Sequence, residues 1–367
     1  MKILHVIDEL LMGGAENLLI GLASEQVARG HDVTVAPLVC GEMTPVRVKM
    51  IEKGVSVKPL AERGTDRDPV FVFKILSLLS GYDIVHVHLF PALYWSGFAK
   101  MFSLSKTPMV YTEHSTNNKR RGNYLLHTTD RLIYQYGYKK IIACSEKALE
   151  TFRKAYPTVS NTCYINNGVD TSVFRDVKPY SKQELLGIDN DCFVVTMVAR
   201  FMTMKRQDTI VEAITKLPET IHAVFVGGEI TDEGLKRVKA MTEKMNVADR
   251  IHFLYLRKDV PRILKTSDVV IMASDYEGLS LSSIEGMAAG KPFVATDVDG
   301  LREVVGGAGV LFENKNSEML ARIINNLSTD KHYYQEIAKK CSQRAEQYDI
   351  KGMVDSYMDV YNDVIKD

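Results

Sequence analysis

The chain of 367 residues is longer than one typical α/β domain, and apolar residues make up 46% of it, enough for two buried cores. Its 46 lysines and arginines balance its 46 aspartates and glutamates, which argues against nucleic acid as the main partner, since phosphate binding needs a basic surplus. The five cysteines form no CxxC pair, and no apolar run reaches the roughly 18 residues of a membrane-spanning helix. These features favour a reduced cytosolic protein without a membrane span, and leave association with a membrane surface open.

Short β-branched runs alternate with amphipathic segments along the whole chain. Strands are predicted at residues 2–7, 32–39, 55–60, 84–88, 108–113 and 140–144, and again at 193–199, 222–227, 250–256, 268–273, 292–296 and 309–312. Helices are predicted between them, for example at 15–29, 207–216 and 232–246. This alternation is typical of parallel sheets with helices on both faces. We therefore expect an α/β protein of two Rossmann-like, doubly wound domains that face a central cleft.

The predicted domains are residues 1–170 and 171–349. The boundary lies in a segment that begins with the turn signal Asn166-Asn167-Gly168 and leads to a new helix start near Ser181. Residues 350–367 carry a single apolar helical stripe. A helix is expected there, packed on the second domain or back across on the first.

Gly13 and Gly14 follow the first predicted strand and open the next helix. Two glycines let a loop pass close to a ligand, and a helix N-terminus offers free N–H groups to an anion. A tight strand-to-helix turn explains the same residues equally well. The pattern is not GxGxxG, which argues against a dinucleotide-dependent dehydrogenase.

Histidines stand at the ends of two predicted strands. His114, in the segment Thr112-Glu113-His114-Ser115, leaves a strand tip from which its imidazole can donate to a ligand hydroxyl; the alternative is a surface or turn histidine. His86 and His88 alternate on one face of the preceding strand. We interpret them as buried and hydrogen-bonded, because no third metal ligand stands near them in sequence.

A basic segment follows the first strand of the second half. Arg200 at the strand end and Lys205 farther along the loop could both reach a diphosphate, the arginine as a bidentate fork and the lysine as a point charge. A solvated basic turn is the alternative interpretation.

The strongest motif is the pair Glu277 and Glu285, which follows the apolar strand at 268–273. Gly278 permits close backbone approach, and a helix is predicted to begin near residues 280–282 and to end at Gly290. A helix N-terminus rich in serine can hold a phosphate. Glu285 lies about one turn inside this helix, where its carboxylate can accept two ribose hydroxyls. Alone, the two acids would be a capping acid and a surface acid; their setting favours a nucleotide site.

In these motifs and their order the chain resembles the GT-B glycosyltransferases of the large retaining family-four group, also called glycosyltransferases group 1. The resemblance covers nearly the whole chain and rests on residues 13–16, 167–170 with Phe174, Arg200 and Lys205, the pair Glu277 and Glu285, and residues 295–297 with Glu303. It implies transfer of a sugar with retention of anomeric configuration and without a metal.

The resemblance also implies roles for the matching residues. Glu277 would hold the donor sugar's hydroxyls, Glu285 would bind the ribose, and Arg200 and Lys205 would stabilise the leaving diphosphate. His114 would contact the sugar near its hydroxymethyl group. Backbone N–H groups would meet the sugar and phosphate at Gly278, Leu279, Ser280 and Leu281, and the Gly13–Gly14 loop would close over the phosphates.

Tyr255 and Leu256 would frame the base. The group usually has glycine where Tyr255 stands, so uridine and guanosine both stay open, with a UDP-sugar favoured. We expect a front-face reaction in which the departing phosphate assists deprotonation of the acceptor, with Glu277 as covalent nucleophile the less favoured variant.

The sequence thus predicts a retaining hexosyltransferase that moves a hexose or N-acetylhexosamine from a nucleotide-diphosphate sugar to a saccharide or lipid-linked acceptor, in bacterial surface polysaccharide biosynthesis. Residues 1–170 would form the acceptor side and residues 171–349 would bind the donor. We expect no cofactor beyond this co-substrate and no metal, and we interpret Asp297-Val298-Asp299 as a turn.

The predicted location is cytoplasmic. Lys119, Arg120 and Arg121 beside an amphipathic segment could meet anionic lipid or a lipid-linked pyrophosphate at the inner membrane face, or could form a solvated loop. Two other functions stay open: a nucleotide-sugar epimerase of the same architecture, which would need additional acid–base groups, and a non-catalytic sugar-nucleotide-binding protein.

Overall fold

The computed structural model describes residues 1–11, 13–42, 44–114, 119–277 and 279–366, and leaves the side chains of Lys119 and Arg121 undescribed. Two residues of the sequence motifs, Ser115 and the predicted donor-binding Gly278, lie outside the described residues.

Thirteen strands occur within the described residues. They are β1 (Lys2–Glu9), β2 (Asp32–Val39), β3 (Ser56–Val57), β4 (Ile84–His88), β5 (Met109–Glu113), β6 (Lys140–Ala143), β7 (Thr162–Tyr164), β8 (Phe193–Val198), β9 (Ile221–Val226), β10 (Ile251–Phe253), β11 (Val269–Met272), β12 (Phe293–Thr296) and β13 (Val310–Phe312).

Sixteen α-helices connect or follow these strands in the same part of the chain. They are α1 (Gly14–Ala28), α2 (Pro45–Glu52), α3 (Phe71–Leu78), α4 (Ala92–Met101), α5 (Tyr124–Tyr136), α6 (Glu146–Ala155), α7 (Thr171–Arg175), α8 (Lys182–Leu186), α9 (Gln207–Ile214), α10 (Glu233–Lys244), α11 (Val260–Thr266), α12 (Leu281–Ala288), α13 (Asp299–Val305), α14 (Ser317–Thr329), α15 (Lys331–Glu346) and α16 (Ile350–Lys366). Among the described residues, no helix combines the length and the hydropathy needed to cross a bilayer.

The contacts divide the chain into two compact units. The first unit comprises Met1–Gly168 and Ile350–Asp367, and the second comprises Val169–Asp349. Each has its own parallel sheet and its own buried core.

The sheet of the first unit has the strand order β3-β2-β1-β4-β5-β6-β7. Its central strands are buried on both faces, as expected for a parallel sheet that is covered by helices on either side. Helix α16 packs its apolar stripe into the same core, where Tyr357 and Tyr361 are fully buried. A fully buried side chain of this size contributes on the order of 2 kcal/mol, so α16 is an integral part of this unit.

The sheet of the second unit has the strand order β10-β9-β8-β11-β12-β13. The direction of the strand order changes between the neighbours β8 and β11. From β8 the sheet continues through β9 and β10 to one side, and from β11 it continues through β12 and β13 to the other side. Ligands of doubly wound sheets bind beyond the carboxyl ends of the strands at such a switch point. The loops that follow β8 and β11 therefore lie where a ligand is expected.

The predicted α/β class with two parallel sheets is confirmed, and the differences are local. Strand β10 ends at Phe253 rather than at the predicted residue 256. Its extension is blocked because Tyr255 adopts a left-handed backbone conformation with φ of 53°, which a strand cannot contain. Strand β7, a three-residue edge strand at Thr162–Tyr164, was missed because so short a run gives no alternating pattern.

Candidate active site

Two loops of the second unit meet at the carboxyl edge of its sheet. One follows β8 and the other follows β11, on either side of the switch point. The backbone N–H of Asp275 donates to the carbonyl oxygen of Met204 over 2.8 Å, which joins the loops directly. The side-chain amide of Asn314 donates to Asp275 Oδ1 over 3.0 Å and holds the second loop from its other side. The side chains that these loops carry are therefore fixed relative to each other.

Lys205 and Glu277 meet at this junction. Lys205 Nζ lies 2.6 Å from Glu277 Oε1, and the hydroxyl of Ser274 donates to the same oxygen over 2.7 Å. The lysine and glutamate side chains are only 17% and 13% exposed, so solvent screens the pair weakly. Glu277 Oε2 has no hydrogen-bond partner among the described residues. The carboxylate thus has one oxygen held by the protein and one that can accept hydroxyl groups from a ligand.

Arg200 stands at the end of β8, and its side chain is exposed. Its carbonyl oxygen accepts a 3.0 Å hydrogen bond from the side-chain amide of the buried Gln207. The guanidinium group has no ion-pair partner among the described residues. The structure therefore fixes the backbone of Arg200 and leaves its five N–H donors available to an anion.

Helix α12 begins directly after the second loop. Ser280 is its N-cap residue, and no side chain caps the N–H groups of the first turn. The hydroxyl of Ser283 donates instead to the carbonyl oxygen of Ser280 over 2.6 Å. Gly286 lets the helix lie close to the sheet, because a Cβ there would stand 2.7 Å from the Phe293 ring. The uncapped N–H groups of the first turn, among them that of the predicted residue Leu281, lie at the positive end of the helix dipole, where a helix can hold an anion.

Glu285 lies in the second turn of α12 and is half-buried. Burial raises the pKa of its carboxyl group from an ordinary value of 4.5 to about 7. None of the described residues donates a hydrogen bond to its side chain, which is unusual for a group with so little access to water. Two hydroxyls of a bound ligand would satisfy this carboxylate.

Tyr255 departs from the glycine that the resemblance leads one to expect, and its left-handed φ of 53° explains why glycine suits the position. Its hydroxyl accepts a 2.8 Å hydrogen bond from Lys239 Nζ, and its carbonyl oxygen accepts from the N–H of Gly227 over 2.8 Å. Gly227 is required here, since a Cβ would lie 2.4 Å from the carbonyl oxygen of Ala199. The next residue, Leu256, is 62% exposed. Tyr255 is therefore held against α10, and Leu256 is free to contact a ligand.

The two aspartates of Asp297-Val298-Asp299 are bridged by one arginine. Arg302 Nε lies 2.6 Å from Asp297 Oδ1, and its NH1 group lies 3.1 Å from Asp299 Oδ1. The interpretation of this segment as a turn agrees with its place at the start of α13.

The glycine loop of the first unit follows β1. Gly13 is the N-cap residue of α1, and a Cβ at Gly14 would meet open space among the described residues. Asp8, which the sequence analysis did not single out, stands nearby at the strand end. Burial raises its pKa to about 7, and the charges of Glu16 and Asp66 add to the effect. This strand edge thus combines an open backbone with a partly protonated carboxyl group.

His114 ends a row of hydrogen-bonded imidazoles in the first unit. Its Nε2 lies 3.2 Å from His88 Nδ1, and His88 Nε2 lies 3.0 Å from His5 Nδ1. His5 is paired in register with His86, so the parallel sheet supplies the third imidazole that the local sequence lacks. One ring nitrogen of each of His5, His86 and His88 lies within 4.8 Å of the others, a spacing that a metal ion could bridge.

Every ring nitrogen of those three histidines already has a partner in the protein. His86 contacts the Tyr361 hydroxyl over 2.6 Å and Thr112 Oγ1 over 2.7 Å, and His5 Nε2 contacts Gln26 Oε1 over 2.8 Å. The expectation that His86 and His88 are buried and hydrogen-bonded is confirmed. His5, Gln26 and Ser274 were not predicted from the sequence. Alternation along β1 assigns His5 to one face of its strand, but only the strand order places it beside β4.

Two family models match consecutive parts of the chain. The model described as Glycosyltransferase Family 4 matches residues 12–173, and the model described as Glycosyl transferases group 1 matches residues 181–348. Their boundary falls close to the junction between the two units.

Two curated relatives carry related names. The N,N'-diacetylbacillosaminyl-diphospho-undecaprenol alpha-1,3-N-acetylgalactosaminyltransferase of Campylobacter jejuni is 28% identical over 66% of this chain, and the match spans slightly less than two thirds (65%) of that protein. The UDP-Gal:alpha-D-GlcNAc-diphosphoundecaprenol alpha-1,3-galactosyltransferase of Escherichia coli is 26% identical over 77% of this chain and 76% of its own length.

The fold is similar to that of a solved structure, Anabaena Alr3699/HepE in complex with UDP, with a TM-score of 0.86. The two are 24% identical, and the match covers 99% of this chain and 100% of the other. The two successive family matches, the paired Rossmann-like sheets and this fold together show that the chain belongs to the group 1 glycosyltransferases of the GT-B fold.

Proposed function

We propose that this protein transfers a hexose or N-acetylhexosamine, with retention of anomeric configuration, from a UDP-sugar to a lipid-linked saccharide acceptor. The observation that carries the proposal is the contact of Lys205 and Ser274 with Glu277 at the switch point of the second sheet. It puts a carboxylate for sugar hydroxyls beside a cation for phosphate, next to the uncapped end of α12.

The chemistry needs negative charge to be stabilised on the departing diphosphate. Arg200, Lys205 and the N–H groups of α12 are the positive groups of this edge, and removal of one such preorganised donor typically costs about 3 kcal/mol of transition-state stabilisation. We propose a front-face reaction, in which the departing phosphate accepts the proton of the acceptor hydroxyl. Glu277, already bound through one oxygen to Lys205 and Ser274, then orients the sugar and does not form a covalent bond.

The donor is proposed to bind through its ribose at Glu285 and through its base near Leu256. The choice of uridine is supported by the UDP of the Anabaena structure and by the UDP-galactose in the name of the E. coli relative. Retention is supported by the alpha linkages that both relatives' names state, since UDP-hexoses are themselves alpha-linked. A guanosine donor is the competing possibility, because Tyr255 alters the position where the family usually has glycine.

A lipid-linked acceptor is supported by the diphospho-undecaprenol acceptors in both relatives' names. Helix α5 of the first unit adds a structural reason. Leu125, Leu132 and Tyr136 follow one another along one face of this helix, and they are 74%, 42% and 62% exposed. The exposed cations Arg131 and Lys139 lie within or just beyond the same helix. An apolar stripe flanked by cations suits the surface of an anionic membrane, and we place the enzyme at the cytoplasmic face in surface polysaccharide synthesis.

Independence from metal is part of the proposal. The cationic groups of the second unit can supply the charge stabilisation that a metal provides in other transferases. The aspartates of Asp297-Val298-Asp299 are bridged by Arg302, which already compensates both carboxylates.

A transfer assay tests this function. The protein is incubated in EDTA with an undecaprenyl-diphosphate-linked sugar and one radiolabelled donor at a time. The donors are UDP-glucose, UDP-galactose, UDP-N-acetylglucosamine, UDP-N-acetylgalactosamine and, as the guanosine donor, GDP-mannose. We expect one UDP-sugar to give an alpha-linked product, with the anomer read from the NMR coupling constant. A beta product would refute retention, and dependence on added metal would refute metal independence. Conversion of the donor without acceptor would show an epimerase, whereas binding without any turnover would show a non-catalytic protein.

Membrane contact needs a separate assay. Vesicles that contain phosphatidylglycerol should pellet the wild type, and the double variant Leu125→Ser, Leu132→Ser should pellet less. Ile230→Ser, an equally exposed apolar residue of the second unit, is the control and should pellet like the wild type. If the wild type stays in the supernatant, the membrane proposal is wrong.

A further inference from the structure

An unbroken row of hydrogen bonds crosses the first sheet from helix α1 to the end of β5. It runs from Gln26 Oε1 to His5 Nε2 over 2.8 Å, from His5 Nδ1 to His88 Nε2 over 3.0 Å, and from His88 Nδ1 to His114 Nε2 over 3.2 Å. Gln26, His5 and His88 are fully or almost fully buried, and His114 is half-buried. Both ring nitrogens of His5 and of His88 take part in the row. The row therefore has no branch at which the donor-to-acceptor direction of its hydrogen bonds could change.

All the rings of this row are neutral near neutral pH. Burial lowers the pKa of His5 and of His114 to about 4, and it lowers the pKa of His88 well below its ordinary value. A neutral imidazole has one N–H donor and one lone-pair acceptor. Each contact between two rings needs one of each, so all the protons of the row must point in the same direction.

Gln26 sets that direction. Its side-chain nitrogen faces the thioether of Met358 at 3.9 Å, and a thioether sulfur can only accept. The amide oxygen therefore faces His5 and accepts a proton from His5 Nε2. His5 Nδ1 must then accept from His88 Nε2, and His88 Nδ1 must accept from His114 Nε2.

We propose that Gln26 is a positioning residue that fixes the proton of His114 on Nε2, so that His114 offers only its Nδ1 lone pair, as an acceptor, to a hydroxyl group of a bound ligand. Nδ1 of His114 has no partner within the described part of the chain. This reverses the polarity expected from sequence, where His114 donates. A ring that can only accept favours a neutral sugar, which brings a hydroxyl proton, over a uronate, whose carboxylate has none. The choice of sugar rests on the proposed function, whereas the tautomer does not.

The tautomer can be measured on the full chain without any activity. Protein labelled with ¹⁵N in the histidine rings gives long-range ¹H–¹⁵N correlations that distinguish the two neutral tautomers, and the His114→Gln spectrum identifies the signals of His114. We expect the proton of His114 on Nε2, with the same tautomer for His5 and His88. A proton on Nδ1 of His114 would overturn the proposal.

Two variants then test the role of Gln26. Gln26→Glu keeps an acceptor towards His5 and should keep the Nε2–H tautomer of His114. Gln26→Leu removes the acceptor and should give a mixture of both tautomers, with a several-fold higher donor KM and a smaller change in kcat. If Gln26→Leu leaves the tautomer unchanged, Gln26 does not control it. Should that variant fail to fold, the wild-type spectrum still decides the direction of the row.

Donor selection tests the consequence. The preference for UDP-glucose over UDP-glucuronate should be about tenfold larger in the wild type than in His114→Gln. The preference falls in the variant because its amide can also donate a hydrogen bond. An equal ratio in both proteins would refute the role in selection. If no UDP-sugar is turned over while the tautomer is as expected, the proposed function fails and the assignment of the proton row stands.

Discussion

Lys205 Nζ lies 2.6 Å from Glu277 Oε1, although the two residues belong to loops that follow different strands. Each loop alone would place its charge at a sheet edge, but only the junction through Asp275 and Met204 brings the charges into contact. The pair is weakly exposed, so neither charge is fully compensated by water. A bound diphosphate and sugar would share these groups, the phosphate at the ammonium and the hydroxyls at the carboxylate.

Removal of the ammonium should therefore impair turnover. Lys205→Met should lower kcat/KM by on the order of a hundredfold or more, the usual effect of deleting one donor to developing negative charge. The measurement is steady-state transfer with the UDP-sugar that the wild type uses. Lys340→Met, which breaks an exposed pair with Glu336, should retain wild-type rates. Comparable rates for Lys205→Met and wild type would remove Lys205 from the site.

Glu285 should make both stability and nucleotide affinity depend on pH. Since folding raises the pKa of this acid from 4.5 to about 7, the folded protein holds the proton more tightly than the unfolded chain does. Its contribution to stability is complete below about pH 4.5 and is lost as the pH rises to 7, by about 3 kcal/mol at most. Glu285→Gln should therefore be more stable than the wild type at pH 8 and no more stable at pH 4.5, as measured by urea unfolding.

The same titration should act on binding in the opposite sense. The ionised carboxylate accepts ribose hydroxyls, so UDP affinity of the wild type should rise between pH 6 and pH 8, as measured by calorimetry. Glu285→Gln should bind weakly with little change over this range. A wild-type affinity that is constant with pH would show that Glu285 does not hold the ribose.

At position 255, the glycine variant should be more stable than the alanine variant, which reverses the usual order of stability. At its φ of 53°, a Cβ costs about 1 kcal/mol, so Tyr255→Gly should be more stable than Tyr255→Ala by about this amount. At Leu256, which does not have a positive φ, alanine should be the more stable of the two. Thermal unfolding of the four variants checks both orders. A less stable glycine at position 255 would contradict the backbone conformation described for it.

Tyr361 and Tyr357 offer a matched pair on α16. Both are fully buried, but Tyr361 contacts His86 Nδ1 at 2.6 Å, whereas Tyr357 contacts Thr112 Oγ1 at 3.3 Å. Tyr361→Phe leaves a buried imidazole nitrogen without a partner and should cost about 1–3 kcal/mol of unfolding free energy. Tyr357→Phe should cost less. Equal losses would indicate that the His86 contact contributes no more than the Thr112 contact.

Much of the fold could be predicted because its signals are local. Buried parallel strands give short β-branched runs, and the turn at 166–168 and the stripe at 353–364 mark where the chain changes direction or adds a helix. Glu277 and Glu285 were recognisable because a strand, a loop glycine and a serine-rich helix start surround them. The contact between Lys205 and Glu277 was not predictable, since it depends on which strands lie side by side.

The row of histidines also depends on contacts between strands that could not be predicted from the sequence. His86 and His88 were interpreted from sequence as a pair without a third ligand, yet β1 places His5 directly beside them. Tyr255 was recognised as a departure from the family, but only its backbone conformation shows what the departure costs. Sequence patterns thus identified candidate residues and their strands, whereas contacts across the sheet required the strand order.

The central claim is that α12 and its preceding loop form a nucleotide-sugar site. Nucleotide binding by the wild type and by a variant without the Glu285 carboxylate tests this claim most directly. Thermal shift is recorded in EDTA with UDP, GDP, ADP, CMP and NAD, for the wild type, for Glu285→Ala and for the exposed control Glu336→Ala. We expect UDP to stabilise the wild type and the control, by about 2.7 kcal/mol at a hundred times its dissociation constant, and to leave Glu285→Ala unchanged. If no nucleoside diphosphate stabilises the wild type, or if only NAD does, α12 and its preceding loop do not form a nucleotide-sugar site, and the proposed transfer reaction is wrong.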